Sequence, residues 1–296
     1  MTSTPRVVRT RTELREALAG AGSVAFVPTM GALHDGHAQL FAYAKPLGQT
    51  LVASIFVNPT QFGPGEDFDA YPRALDADLI VCAKAGVDVV FAPEVDEMYP
   101  AGTEDSVMVD PGALGRILEG EQRPTHFRGV LTVVAKLFAL VRPDVAVFGE
   151  KDFQQLALIR AMVRDLVLEL RIEGCPIVRD PSGLALSSRN VYLSGAERTS
   201  ATALARAMQA GQAAGPAGAA AVLAAAQQVL DEAGITADYL TLTDPFLGPA
   251  PESGEARLLV AARVGAPRLL DNIAVHLGPD TTTSPTTEHT ELDDRS

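Results

Sequence analysis

Several residue types are scarce in this sequence of 296 residues. It has no tryptophan, and its aromatic side chains are 11 phenylalanines and five tyrosines. A hydrophobic core must therefore be built from Val, Leu, Ile and Ala. The two cysteines, Cys82 and Cys175, have no CxxC spacing and no accompanying cluster of metal ligands. We therefore expect two buried, reduced thiols.

Long apolar segments are also lacking. Residues Met1–Leu18 are polar and rich in arginine, and they lack the apolar region of a secretory signal. The apolar run Val130–Val141 is interrupted by Lys136 and is too short to span a bilayer. We expect a cytoplasmic protein with no membrane partner.

Basic residues are fewer than acidic ones. The chain has 24 Lys and Arg residues and 37 Asp and Glu residues, which gives a net charge of −13. Nucleic-acid binding needs basic patches, so this balance argues against such a partner. A small anionic substrate in a locally basic cleft stays possible. Residues 280–296 are acidic and poor in apolar types, and we expect a disordered tail.

Apolar runs and helical patterns alternate over the first 180 residues, which predicts βαβ units and a parallel sheet. The predicted strands are Val24–Val27, Leu51–Val57, Val87–Phe91, Val145–Phe148 and Ile172–Val178. The predicted helices are Thr12–Ala19, capped by Thr12, then Gly36–Lys45, Arg73–Ala85, Val130–Val141 and Asp152–Val167. Ligands bind at the carboxyl ends of such strands, where the polar segments 28–37, 58–69, 149–155 and 179–190 mostly lie.

The pattern changes after about residue 180. The alanine-rich stretch Arg198–Ala233 predicts two helices broken at Gly215-Pro216. Three strands of a small antiparallel sheet follow at Tyr239–Thr243, Arg257–Arg263 and Arg268–Val275. The predicted fold is α/β, with a parallel-sheet domain over residues 1–180, a smaller α+β domain over 181–279, and the tail.

The segment Pro28–His37 carries the most informative motif, because His34-x-Gly36-His37 directly follows a predicted strand. A helix starting near Gly36 places both imidazoles beside unpaired backbone amides, where phosphate binds well. An imidazole can also donate a hydrogen bond where charge develops on a phosphate. The alternatives are two structural loop histidines or a zinc site, and the zinc site lacks both HExxH and a third ligand.

Three further polar segments are weaker when each is taken alone. Gly149–Gln155 offers Lys151 for phosphates and Asp152 as a helix cap or a nucleotide contact, or it is a surface turn with an Asp cap. Leu186–Asn190 combines two hydroxyls with a guanidinium and suits a pyrophosphate, or it is a polar hinge. Phe56–Phe62 offers amides for a polar small molecule, or it ends a strand.

Taken together, these segments resemble the pantothenate synthetase (pantoate–β-alanine ligase) family. All four motifs occur in the order and approximate spacing of the family, over about residues 20–195, with a weaker match up to Asp271–Ile273. The HxGH element also looks like that of the wider class I nucleotidylyltransferase superfamily. The resemblance implies a Rossmann-like first domain and a homodimer.

The resemblance further implies that ATP and (R)-pantoate form a pantoyl adenylate, which β-alanine converts to pantothenate with release of AMP. Mg²⁺ accompanies ATP. The implied ATP-binding residues are Met30, Gly31, Ala32, Leu33, His34, Asp35, Gly36, His37, Gly149, Glu150, Lys151, Asp152, Val178, Leu186, Ser187, Ser188 and Arg189. Among them, the implied catalytic residues are His34, His37 (as an acid), Lys151, Ser187, Ser188 and Arg189. Gln61 and Gln155 are expected to hold pantoate, with Gln61 also near β-alanine.

The sequence departs from the family pattern at two positions. Leu186 stands where the family often has Met, and Phe153 where it often has Tyr. The first swap is mild because volume and apolarity are kept. Three rival functions are another nucleotidylyltransferase with a different acceptor, a non-catalytic nucleotide-binding protein and a zinc hydrolase.

Overall fold

A six-stranded parallel sheet forms the first part of the chain. The structure is a computed structural model that describes residues 4–66 and 68–279. The strands are β1 (Arg6–Val8), β2 (Val24–Thr29), β3 (Thr50–Ile55), β4 (Val89–Phe91), β5 (Val145–Gly149) and β6 (Arg171–Cys175). They lie in the order β1-β4-β3-β2-β5-β6, and all neighbours run parallel. The α/β prediction is confirmed, with one more strand than expected.

Helices cover both faces of this sheet. They are α1 (Arg11–Leu18), α2 (Asp35–Ala44), α3 (Leu75–Lys84), α4 (Val95–Met98), α5 (Glu119–Gln122), α6 (His126–Val141) and α7 (Phe153–Asp165). Alternation along β2 shows why both faces are apolar, because Phe26 packs with α1, α6 and α7 while Ala25 and Val27 pack with α2 and α3. Cys82 and Cys175 are free and buried, as predicted.

Helix α1 begins one residue earlier than its predicted start, and its predicted cap was wrong. Thr10 rather than Thr12 is the N-cap, because its hydroxyl accepts from the Glu13 N–H at 3.2 Å. The Glu13 carboxylate in turn accepts from the Thr10 N–H at 3.1 Å. Such a capping box satisfies two helix-end donors at once and thereby selects the start of the helix.

The connectivity reverses at the centre of the sheet. The chain runs outward from β2 through β3 to β4, and it then returns so that β5 pairs with the other side of β2. The connections that leave the carboxyl ends of β2 and β5 therefore diverge and open a crevice between them. In open parallel sheets this crevice is where ligands bind.

A three-stranded antiparallel sheet follows, made of β7 (Ala237–Thr243), β8 (Gly254–Arg263) and β9 (Arg268–Leu277). Helices α8 (Gly195–Ala213) and α9 (Ala219–Glu232) share one apolar core with it. The predicted helix break at Gly215-Pro216 is a short 3-10 turn. The smaller α+β unit is thus confirmed as part of the fold. Its domain boundaries stay a prediction, and the tail 280–296 lies outside the described residues.

Polar contacts join the two sheets. Arg179, after β6, donates twice to the Asp271 carboxylate of β9, at 2.6 and 2.8 Å. Glu119 of α5 accepts from the Tyr239 hydroxyl at 2.9 Å and from Arg268 at 2.5 Å. These contacts hold the second sheet against α5 and against the segment after β6. Within 4–66 and 68–279, none of the helices combines the length and apolarity needed to cross a bilayer.

Candidate active site

A cavity of 650 Å³ lies at the carboxyl ends of β2 and β5. All four polar segments that the sequence singled out contribute to its wall. The predicted residues that line it are Met30, Ala32, Leu33, His34, Gly36, His37, Gln61, Gly149, Lys151, Asp152, Gln155, Val178, Leu186, Ser187, Ser188 and Arg189. The structure thus brings together groups that are far apart along the chain.

Three predicted nucleotide-binding residues do not line this cavity. The Glu150 carboxylate turns to the second sheet, where it pairs with Arg257 at 2.9 Å. Asp35 is exposed in the first turn of α2. Gly31 has φ +85°, and a Cβ there would lie 2.8 Å from a carboxylate oxygen of Asp78. The contribution of Gly31 is therefore to the shape of the loop.

The two histidines form the start of α2. His34 is its N-cap, and its Nδ1 accepts from the Gly36 N–H at 3.1 Å. His37 reaches back, so that its Nδ1 accepts from the His34 N–H at 3.3 Å. The ring centroids lie 4.3 Å apart. Gly36 leaves room for this arrangement, because a Cβ there would lie 2.8 Å from Cε1 of His34.

These contacts determine the tautomer of both imidazoles. Since each Nδ1 accepts a hydrogen bond, each neutral ring must carry its proton on Nε2. Burial, with a smaller contribution from the charge of His34, lowers the pKa of His37 to about 3. Burial followed by the charge of Lys151 lowers the pKa of His34. Near neutral pH the pair therefore presents two neutral N–H donors.

One expectation about this helix start is corrected. The sequence predicted unpaired backbone amides at the N-terminus of α2, but His34 itself occupies the Gly36 N–H. Nδ1 of His34 accepts from the backbone, and the Nε2–H of the same ring remains available as a donor. At this helix start the imidazole Nε2–H groups, rather than the Gly36 amide, are the donors available to a ligand.

The loop before α2 is held by a carboxylate that sequence reasoning missed. Asp78 of α3 is 3% exposed and accepts from the Ala32 and Leu33 N–H groups at 3.1 and 2.7 Å. Ala32 has φ +52°, a conformation that non-glycine residues seldom adopt. Two hydrogen bonds to a charged acceptor stabilise that backbone. Asp78 stands about 45 residues from the loop, so no local pattern indicates it.

Gln61 lies in a short 3-10 turn after β3, within a group of buried polar side chains. The Asn58 amide, 1% exposed, donates to Gln61 Oε1 at 3.0 Å and to the Gly129 carbonyl at 3.2 Å. The Tyr99 hydroxyl donates to Asn58 Oδ1 at 2.7 Å. Gln61 Nε2 then faces Met30 Sδ at 2.9 Å, inside the cavity. Asn58 therefore orients the Gln61 amide with its N–H groups toward the β2 loop.

The paired glutamines at the start of α7 have different surroundings. Gln154 is 3% exposed and is hydrogen-bonded to the backbone of Leu114, Ile117 and Glu119. Gln155 lines the cavity. Of the two amides, Gln155 is thus the one that can reach a ligand there.

Lys151 and Asp152 stand next to each other in a 3-10 turn after β5. Lys151 Nζ lies 3.3 Å from Asp152 Oδ1. Asp152 holds the N-cap position of α7, but its side chain makes no capping hydrogen bond, so the predicted capping role was wrong. Both side chains instead face the cavity, where they form an adjacent cation and anion.

The segment after β6 also lines the cavity. The Leu186 N–H donates to the Val178 carbonyl at 2.9 Å, which joins the two predicted nucleotide contacts. Ser187 caps the 3-10 helix Ser188–Tyr192 through the Arg189 N–H at 3.3 Å. Arg189 is exposed and lines the cavity. This segment adds a cation and hydroxyls to the cavity wall, with Leu186 close to Gly36.

A third histidine of the site, the half-buried His126, makes the stability of the fold depend on pH. Its Nδ1 donates to the Gln61 carbonyl at 2.9 Å, and burial followed by the charge of Arg123 lowers its pKa to about 4. The pKa of His37 is lowered to about 3. Both folded-state values lie below the ordinary value of about 6.5, so the unfolded chain binds more protons below that pH.

We therefore expect the free energy of unfolding to fall as the pH drops from 7 to 5. Each of these two histidines contributes a slope of up to ~1.4 kcal/mol per pH unit below pH ~6.5. Urea unfolding at pH 7, 6 and 5 measures it. His126→Asn should have a shallower slope, while His276→Asn, which replaces an exposed imidazole, is the matched control. An unchanged slope in His126→Asn would contradict the assignment.

Comparison with known proteins agrees with this arrangement. The model of one protein family, described as pantoate-beta-alanine ligase, matches residues 6–274. The chain therefore belongs to the pantoate–β-alanine ligase family. The pantothenate synthetase of Thermobifida fusca is 56% identical over 93% of this chain and 97% of that one. That of Nocardia farcinica is 57% identical over 94% and 86%.

Solved ligase structures have the same fold. The pantothenate synthetase of Thermus thermophilus superposes with a TM-score of 0.84 at 47% identity, over 90% of this chain and 98% of that one. The pantoate-beta-alanine ligase of Francisella tularensis, complexed with beta-gamma ATP and beta-alanine, has a TM-score of 0.75 at 32% identity, over 91% and 97%. The ligase fold thus accounts for both sheets of this chain.

Proposed function

We propose that the chain condenses (R)-pantoate with β-alanine in an ATP-dependent reaction that passes through pantoyl adenylate. The product is pantothenate, and AMP and pyrophosphate are released. One observation carries the proposal beyond family membership. The same 650 Å³ cavity joins neutral N–H donors and two cations for a triphosphate with two amides for a polar acid.

The phosphates are assigned to the histidine pair, to Lys151 and to the segment after β6. His34 and His37 donate from Nε2, while Lys151 and Arg189 supply positive charge. Leu186, Ser187 and Ser188 close on the triphosphate together with Arg189, Val178 lies by the adenine, and Asp152 lies nearer the ribose. Because the pKa of His37 is about 3, we propose a neutral hydrogen-bond donor in place of the acid role that the resemblance implies.

Pantoate is assigned to the amides of Gln61 and Gln155. The α6 side chains Val130, Val133 and Val134 line the same cavity and offer an apolar surface to the dimethyl carbon of the substrate. Gln61 also lies on the side from which β-alanine attacks. The hydrogen bonds from Asn58 to Gln61 and Gly129 hold this surface in place.

The chemistry needs alignment and charge stabilisation rather than a side-chain nucleophile. A pantoate carboxylate oxygen attacks the α-phosphorus, and the bond to pyrophosphate breaks. The β-alanine amine then attacks the acyl carbon, the acyl–oxygen bond breaks, and AMP leaves. Charge that develops on the phosphate oxygens is stabilised by the pre-oriented imidazole donors and by Lys151.

Three further features belong to the proposal. Mg²⁺ enters with ATP as MgATP. Over residues 4–66 and 68–279, the structure has no cluster of three or more His, Cys, Asp or Glu side chains that could hold a metal ion. The resemblance also supports a homodimer that acts in the cytoplasm, which sedimentation of the purified chain and fractionation of cells would test.

We expect the purified chain to release AMP and pyrophosphate when it is given MgATP, D-pantoate and β-alanine together. Omission of β-alanine should stop turnover after about one equivalent of pyrophosphate, because the adenylate stays bound. Mass spectrometry of the product and a coupled pyrophosphate assay measure both effects. AMP release with another acid and none with pantoate would instead favour a nucleotidylyltransferase with a different acceptor.

A further inference from the structure

The turn that carries Lys151 is held from the second sheet by one buried amide. Asn272 of β9 is 2% exposed, and its Nδ2 donates to the carbonyls of Glu150 and Lys151 at 3.0 and 2.9 Å. These two carbonyls belong to successive residues of the 3-10 turn. A single planar group that bonds both of them fixes the direction of the turn and, with it, the origin of the Lys151 side chain.

The orientation of this amide is determined by its neighbours. Arg257 Nε donates to Asn272 Oδ1 at 2.8 Å, so the oxygen faces the guanidinium and the two N–H groups face the carbonyls. Arg257 also pairs with Glu150 at 2.9 Å and stacks over the Phe153 ring at 4.3 Å. The second sheet therefore contacts residues on both sides of Lys151.

The backbone at Asn272 is held as well. Its N–H donates to Asp271 Oδ1 at 2.7 Å, and the same carboxylate, 2% exposed, is paired with Arg179. Arg179 is the residue that follows Val178 in the wall of the cavity. One connected set of hydrogen bonds thus joins the turn that carries Lys151 to Arg179, in the segment after β6, through β9.

We propose that Asn272 is a positioning residue for the ligase reaction, which acts through the backbone of Glu150 and Lys151 to place the Lys151 ammonium at the phosphates. This inference rests on the proposed function. A displacement of about 1 Å at a reacting group can cost on the order of a hundredfold in rate. Asn272 has no need to touch ATP for its loss to slow adenylate formation.

The test uses two variants of the full chain. Asn272→Asp keeps an oxygen for Arg257 and removes both N–H donors, and Asn272→Ala removes the whole amide. We expect either variant to lower kcat for pantoate-dependent pyrophosphate release roughly ten- to hundredfold, with a smaller change in KM for pantoate. Gln212→Ala is the matched control. It removes an exposed amide that donates to the β9 carbonyl of Ala274 at 2.7 Å, and its kcat should be that of the wild type.

A double-mutant cycle separates positioning from general support of the fold. Lys151→Met removes the ammonium, so Asn272→Asp should cause little further loss in that background. Losses that multiply, or Asn272 variants as active as Gln212→Ala, would overturn the inference. Thermal unfolding of each variant shows that it is folded, and if Asn272→Ala is not, Asn272→Asp carries the test. A wild type without pantoate-dependent pyrophosphate release would refute the proposed function itself.

Discussion

His37→Ala is expected to lower kcat on the order of a hundredfold or more, while the folded state persists. The reason is that the Nε2–H of His37 is pre-oriented by the bond from the His34 N–H to Nδ1, and loss of one such donor to developing charge typically has this effect. The cap contribution lost with the ring is only about 1 kcal/mol. Steady-state kinetics and thermal unfolding measure the two effects separately.

Two substitutions distinguish the donor from the cap. His37→Asn keeps an oxygen near the place of Nδ1 and so keeps an acceptor for the His34 N–H, but it offers nothing at the position of Nε2. We expect His37→Asn to be as stable as the wild type and as slow as His37→Ala. His37→Gln places an amide N–H closer to the Nε2 position and should recover part of the rate. A fully active His37→Asn would show that the ring serves only to start the helix.

Asp78→Ala is expected to lower kcat/KM for ATP about a hundredfold, because the carboxylate that lines the cavity also fixes the backbone of the loop before α2. The carboxylate holds the Ala32 and Leu33 N–H groups, and the left-handed conformation of Ala32 depends on such support. Once it is removed, the loop between β2 and His34 can relax and the imidazoles lose their alignment, at a rate cost of this order. Each lost bond to the backbone also destabilises the fold by about 1–3 kcal/mol.

Asp76→Ala is the matched control for this prediction. It removes the same charge from the same turn of α3, but Asp76 is exposed. Kinetics with ATP as the varied substrate and urea unfolding should leave this variant near the wild type. Equal kcat/KM values for Asp76→Ala and Asp78→Ala would mean that the loop keeps its conformation without the carboxylate.

Local patterns predicted most of the fold. Apolar runs such as Val24–Val27 and Val145–Phe148 are long enough to indicate buried strands, and both form interior strands of the sheet. The strand β1 was missed, because Arg6–Val8 has only three residues and lies at the edge of the sheet. Short edge strands carry too little apolar pattern to be distinguished from a loop.

The site was predicted less completely than the fold. Motifs close in sequence, such as His34 with His37, were found because their spacing reflects the turn of a helix. The role of Asp78 was not predicted, since its partners lie about 45 residues away in the sequence and only tertiary packing brings them together. Glu150 was expected in the cavity because it belongs to the same motif as Lys151. Its carboxylate faces Arg257 instead. Charge within a motif does not determine which way a side chain points.

The contact between Asn272 and the Lys151 turn also orders events in folding. Asn272 lies 122 residues from Glu150 and 121 residues from Lys151 along the chain. Loops of such length close late in folding, because the entropy cost of closing them must be met before the contact stabilises the native state. A growing chain that still lacks β9 can already assemble the parallel sheet and the histidine pair, whose contacts are nearer in sequence. The Lys151 turn of such a chain has no support from Asn272 until β9 docks, so its geometry is completed only by the last strand.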